Sequence, residues 1–196
     1  MIIWINGAFG SGKTQTAYEL SKRVEKSHVF DPEEAGFYIR DNLPHALTGG
    51  DFQEFQMWRV INREMLKYMS SHYDGVLIVP MTVTNKAYLE EITRDLRDHG
   101  EDIYHFTLLA DRETLFKRLK GRGDKKDSWA FHQIERCISS FRDEYFKEHI
   151  DTDSMTINQV VEYIAARCGI SLLVDNRSNF RKRLDRLIVW KNHIRF

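Results

Sequence analysis

Residues 2–14, Ile-Ile-Trp-Ile-Asn-Gly-Ala-Phe-Gly-Ser-Gly-Lys-Thr, constrain this chain more than any other stretch. An apolar run passes directly into a glycine-punctuated turn that ends in Lys-Thr, matching G-x-x-x-x-G-K-[ST]. That pattern suits the phosphates of a nucleoside triphosphate. Their clustered charge calls for donors that converge with no side chain in the way, and Gly7, Gly10 and Gly12 let the backbone N–H groups of Ala8, Phe9 and Ser11 curl around them. A helix starting near Lys13 aims its positive end at the same point. The Lys13 ammonium is then expected to reach the β- and γ-phosphates, and the Thr14 hydroxyl to ligate Mg²⁺. The flanks agree, since Ile2–Ile5 reads as a buried strand and Ala17, Leu20 and Val24 as a helical stripe.

Strand and helix signals alternate from there on. A helix to about Lys26 precedes a short strand at Val29-Phe30, which Asp31-Pro32 closes. A helix over 33–40 and a loop over 41–51 follow. Phe55, Trp58, Ile61, Met65 and Met69 predict one buried face of a helix over 52–69. Residues 75–79 and 103–109 read as strands, the first followed by a helix that contains Tyr88, Ile92 and Leu96 and ends at Gly100, the second by a helix over 112–120. A polar segment, 121–128, leads to a helix whose apolar positions run through Tyr145. A last strand over 149–152 and a helix ending at Gly169 complete the series. Right-handed crossovers turn this alternation into an α/β fold, a parallel sheet flanked by helices in three layers, as in nucleotide and small-molecule kinases. The expected organisation is a main domain over 1–172 and a tail over 173–196.

Composition narrows the class. Lys plus Arg equals Asp plus Glu at 29 each, so no whole-molecule field argues for a nucleic-acid partner. Cys137 and Cys168 lack metal-ligand spacing and read as buried, reduced thiols. The eight histidines form no H-x-x-x-H or H-E-x-x-H arrangement. No run approaches the ~20 apolar residues of a membrane span, and Met1–Ile5 already reads as strand where a leader would stand. A cytoplasmic protein is expected.

Several groups are candidates for chemistry. Asp31, at the C-terminal edge of the second strand, suits a base for an attacking hydroxyl or a holder of Mg²⁺; capping the next helix is its ordinary alternative. Arg118 and Arg122, four apart, suit a lid over 121–128 that neutralises charge on the transferred group. The alternative is a solvated loop at a helix end. Arg40 and Arg59 are candidates to hold an anionic acceptor, or are simply surface arginines. Thr152 and Asp153, after the last strand, stand near the expected place of the adenine, unless they cap the following helix. The four tryptophans, Trp4, Trp58, Trp129 and Trp190, read as packing rather than as a stacking platform. The strand at 77–82 ends in Pro80-Met81-Thr82, without the acidic residue that many phosphate-loop ATPases place there, which weakens a motor or switch reading.

The tail from Arg177 to Phe196 carries seven basic residues against one acidic, with Phe180, Leu184, Leu187, Ile188 and Ile194 able to share a face. Such a basic amphipathic helix docks its apolar side on the domain, lies on an anionic bilayer, or meets a protein partner.

The opening loop, the Asp31-Pro32-Glu33 step, the Val79-Pro80-Met81-Thr82 strand end, residues 105–108, 113–119 and 128–130, and the Asn192-His193-Ile194-Arg195 ending together resemble the tunicamycin-resistance ATP-binding proteins of Bacillus-type bacteria over nearly the whole chain. The resemblance implies a kinase-like phosphate-loop fold, ATP bound through Gly12, Lys13 and Thr14, and resistance to tunicamycin, a lipid-bearing nucleoside antibiotic. It further implies a basic C-terminus able to associate with the inner face of the cell membrane. Three activities are consistent with it: phosphorylation of the drug, ATP-dependent sequestration of it, and a housekeeping nucleoside-monophosphate kinase.

Overall fold

The computed structural model describes residues 1–193. Ile194, Arg195 and Phe196, the end of the tail stripe and of the Asn192–Arg195 motif, lie outside the described residues.

Five parallel strands form one sheet in the order β2-β3-β1-β4-β5: β1 Ile2–Gly7, β2 Ser27–Val29, β3 Val76–Pro80, β4 Ile103–Leu109 and β5 His149–Asp151. β1 lies at the centre and is buried along its whole length. Alternation assigns its side chains to two layers. Ile3 and Ile5 pack with Ala17 and Leu20 of α1 (Lys13–Arg23) and Val160 and Ile164 of α7 (Ile157–Arg167). Ile2 and Trp4 face Ile92 of α4 (Lys86–Asp98) and Ile134 of α6 (Trp129–Ser140) in the opposite layer. A strand covered on both sides needs apolar residues at every position, and each such side chain contributes about 1.5–3 kcal/mol.

The expected three-layer architecture is present, with differences in detail. α1 stops at Arg23, and the second strand starts two residues earlier than expected, at Ser27, whose hydroxyl bonds back to Ser21. α2 spans Pro32–Asn42, and residues 45–47 within the expected loop make a 3-10 turn. Phe52–Glu54 is a second such turn, separate from α3 (Gln56–His72). The buried face of α3 is Trp58, Asn62 and Leu66, whereas Ile61 and Met65 are exposed, so the expected stripe is rotated. Buried Asn62 is satisfied on one side only: its amide nitrogen donates to the Trp58 carbonyl at 2.8 Å, while Oδ1 has no partner among the described residues. The helix expected to run through Tyr145 ends at Ser140, with a 3-10 turn at Glu144–Phe146. Both cysteines are buried and free.

After α7 the chain runs extended to α8 (Asn179–Asn192), which packs on α1. The contact is not the apolar stripe. Asp185 and Val189 turn inward, and Phe180, Leu184, Leu187 and Ile188 face outward. Arg177 holds the junction, pairing with Asp175 at 2.8 Å, with Asp185 at 2.9 Å and with Glu19 of α1. Lys22 of α1 reaches Asp185 at 3.0 Å, and the Gln15 side chain donates to the Arg186 carbonyl at 3.0 Å.

Candidate phosphate-binding site

β1 delivers the loop 7–14 to the C-terminal edge of the sheet, and α1 carries it away. Gly7 has φ +142°, and a Cβ there would stand 2.6 Å from the Leu108 carbonyl oxygen. Gly12, at φ +101°, precedes the first turn of α1. Side chains are thus excluded both by backbone conformation and, at Gly7, by space. Ser11 Oγ is buried with no hydrogen-bond partner, an unfilled polar group in the concave loop. The glycine cradle and this orphaned hydroxyl fit a phosphate.

Buried neutral groups hold the loop from beneath. Asn6 Oδ1 accepts from the amides of Gly7 and Val83, both at 2.9 Å, and its Nδ2 donates to the Val83 carbonyl at 2.9 Å. Thr82 Oγ1 donates to the Gly7 carbonyl at 2.8 Å, and Gln53 Nε2 to the Thr82 carbonyl at 3.0 Å. Sequence reasoning missed Asn6, Gln53 and Thr82 as a set. Polar residues at the ends of otherwise apolar strands were the available signal.

Lys13 is 8% exposed. Its Nζ donates to the Ala8 carbonyl at 3.1 Å and lies 5.5 Å from the centre of the Phe9 ring. Burial lowers its pKa to about 8, against the pull of Glu33, Cys137 and Asp31. Glu33, in the first turn of α2, moves the other way. Burial and the neighbouring Asp31 raise its carboxyl to about 7, opposed by Lys13, Arg122 and His193. Asp31 caps α2, accepting from the Glu33 amide at 3.0 Å, and its charge is felt at Lys13, Glu33 and Tyr18. The charges at the head of α2 thus act on the ammonium, and Glu33 is the one that sequence reasoning passed over. Thr14 follows Lys13 on the first turn of α1. With Asp31 it supplies the oxygen donors that suit Mg²⁺. Among the described residues no group of three or more His, Cys, Asp or Glu gathers to hold a metal.

α5 (Arg112–Arg122) does continue to Arg122, yet its two arginines take different partners. Arg118 clasps Thr152, with Nη1 to the hydroxyl at 3.0 Å and Nη2 to the carbonyl at 2.7 Å. Arg122 forms a two-pronged pair with Asp124, at 2.6 and 3.0 Å, while its charge reaches Lys13 and Glu33. Thr152 and Asp153 do not cap α7, whose cap is Thr156. Asp153 accepts from the Asp111 amide at 2.7 Å instead, so both residues tie the end of β5 to the β4–α5 junction.

Arg40 and Arg59 are both engaged by protein groups. Arg40 donates to the Gly50 carbonyl at 2.7 Å and stacks over Phe52. Arg59 pairs with Glu91 and donates to the Gln53 carbonyl at 2.6 Å. Both brace the turn at 52–54, Arg40 through the Phe52 ring and the neighbouring Gly50 carbonyl, Arg59 through the Gln53 carbonyl. A third arginine, Arg136 of α6, pairs with buried Asp51 at 3.1 Å.

Comparison with known proteins agrees with this geometry. A family model described as an AAA domain matches residues 2–143. No curated protein matches the chain. Among solved structures, the tunicamycin resistance protein of Deinococcus radiodurans is similar at 38% identity and TM-score 0.75, covering 89% of this chain and 98% of that one. A gluconokinase from Sinorhizobium meliloti, 15% identical, has TM-score 0.59 with 97% of each chain covered. A shikimate kinase from Bacteroides thetaiotaomicron, 12% identical, has TM-score 0.56, covering 87% of this chain and 99% of that one. The last two speak for the fold alone. With its glycine cradle, its buried lysine and this likeness, the chain belongs to the tunicamycin-resistance family of phosphate-loop proteins with a kinase-like fold.

Proposed function

We propose that the protein transfers the γ-phosphoryl group of ATP to a hydroxyl of a small nucleoside-like acceptor, with tunicamycin the leading candidate. The observation that carries this reading is the buried Lys13 at the mouth of the cradle, facing the carboxylates at the head of α2. The backbone N–H groups of the loop hold the phosphates, and Lys13 follows charge onto the β- and γ-oxygens. Thr14 and Asp31 are the groups that would hold Mg²⁺, which when bound screens the phosphate charge. As the acceptor oxygen bonds to the γ-phosphorus and the bond to the β-phosphate oxygen breaks, the hydroxyl proton passes to Asp31. Arg122 lies on the lid side of the same charge, and Arg118 with Thr152 and Asp153 frames the side assigned to the adenine.

Incubation of the protein with tunicamycin and γ-labelled ATP tests this. Label moves to the drug if the reading is right, and stays on ATP or phosphate despite tight binding of both if it is wrong. Brisk transfer to UMP or CMP instead marks a nucleoside-monophosphate kinase. A second reading, ATP-dependent sequestration of the drug at a membrane surface, is favoured by α8. Its Phe180 is 77% exposed, and Leu187 and Ile188 are exposed beside it between basic residues. No helix among the described residues is long and apolar enough to cross a membrane, so such contact would be at the surface. Sequestration predicts that Asp31→Asn spares resistance while Lys13→Ala abolishes it.

A further inference from the structure

Trp129 opens α6 directly after the lid segment and is 46% exposed, although an indole is among the costliest side chains to leave in water. Its surroundings explain where it points. The Phe9 ring, within the phosphate loop, meets it edge-on with centres 5.1 Å apart, and the same Phe9 ring lies beside the Lys13 ammonium. The opposite side of α6 is anchored, since Phe131, Ile134 and Cys137 are buried and the Phe9 backbone bonds to the Cys137 thiol. Trp129, Gln133 and Arg136 follow one another at i, i+4 and i+7 and therefore share a face. That face begins at Phe9 and ends at Arg136, which is paired with Asp51 beside the 52–54 turn. The other arginines tested as acceptor holders are spent on bracing that turn. α6 thus offers, beside the phosphate loop, an exposed aromatic surface followed by the Gln133 amide, while Arg136 is engaged by Asp51.

We propose that Trp129, backed by Phe9, is the platform on which a planar ring of the acceptor stacks, with the polar edge of that ring turned toward Gln133. Stacking on an indole is tolerant of ring identity but demands flatness, so it selects nucleoside-like acceptors over open-chain polyols. This rests on the phosphoryl-transfer reading only in naming the ring as part of the acceptor.

The test uses the full chain with Trp190→Phe, which removes the other exposed indole; Trp4 and Trp58 are fully buried and supply a constant background. Uridine and tunicamycin should quench the fluorescence of Trp129, and gluconate should not. Trp129→Ala should weaken both nucleoside ligands by on the order of 10–100-fold, Trp129→Phe should restore most of that, and the affinity for MgADP should stay within about twofold. Unchanged nucleoside affinity in Trp129→Ala overturns the proposal, as does failure of the wild type to bind uridine and tunicamycin. A joint loss of MgADP binding does so too, because it would make Trp129 a structural prop. Quenching without label transfer keeps the platform and discards phosphoryl transfer; transfer with unchanged acceptor affinity in Trp129→Ala does the reverse.

Discussion

The phosphate cradle and the C-terminal helix both rest on α1, and they are held there by opposite means. The cradle is fixed by backbone conformation and by buried, uncharged hydrogen bonds from Asn6 and Thr82. α8 is fixed mainly by a cluster of ion pairs at its seam with α1, Arg177 with Glu19, Asp175 and Asp185, and Lys22 with Asp185, in which the carboxylates are little exposed and the cations reach solvent. Neutral buried bonds do not respond to salt, whereas ion pairs with one partner in reach of solvent weaken in part as ionic strength rises. One helix therefore carries a rigid site at its start and a detachable attachment along its side.

Lys13→Ala tests the cradle end and should have the largest effect. Calorimetry should show MgATP affinity falling by more than about 100-fold, with the folded state intact because burial already disfavours the ammonium. Arg177→Ala tests the other end. It strips the central cation from carboxylates with little solvent around them, and after discounting for the exposure of Arg177 it should cost about 1–3 kcal/mol in urea unfolding. Raising salt to ~0.5 M should mimic part of that loss in protection of α8 from proteolysis and leave MgATP binding to the cradle far less affected. Acid acts in the same sense. Arg177 and Lys182 hold the Asp175 carboxyl, and Lys22 and Arg177 that of Asp185, below the usual range. Their contribution is full above the unfolded carboxylate pKa and is lost as pH falls through the lowered folded value.

The smallest effect sits where the two ends meet. Glu33 is raised to about 7, so the folded state holds a proton that the unfolded state has released between about pH 4.5 and 7, and stability falls as pH rises across that window. Glu33→Gln should melt a few degrees higher than wild type at pH 8, with the gap closing at pH 5. Lys13 has the complementary dependence, since its lowered value near 8 lets stability grow as pH rises from there toward 10.5. A gap that persists at pH 5 would show that packing, and not charge, separates the two proteins.

How legible each part was follows from the kind of force that makes it. Glycines at Gly7 and Gly12, and apolar runs such as Ile2–Ile5, announce themselves because backbone freedom and burial are properties of single residues. The sheet and the loop were therefore readable. The face of α3 was not, since Ile61 and Met65 look like core and Asn62 does not, yet the helix is turned so that Trp58, Asn62 and Leu66 face inward. The seating of the tail was legible only in part for a related reason. Its apolar residues left docking, bilayer and partner open, while Asp185 gathers several cations at once, and a network of long-range pairs leaves no periodic trace. Arg40 and Arg59 were read as possible acceptor ligands because sequence shows a charge and not the carbonyl it faces. Asp31 was legible as a cap from the proline after it, whereas the charged surroundings of Glu33 were not, because a glutamate in the first turn of a helix is so ordinary.

The bond from Thr82 Oγ1 to the Gly7 carbonyl stands where many related ATPases carry a carboxylate. A hydroxyl does not ionise in the physiological range and is a poor partner for a divalent cation on its own. The floor under Gly7 therefore rests on a bond that neither a change of pH in that range nor competition from a divalent cation breaks by taking away a charge.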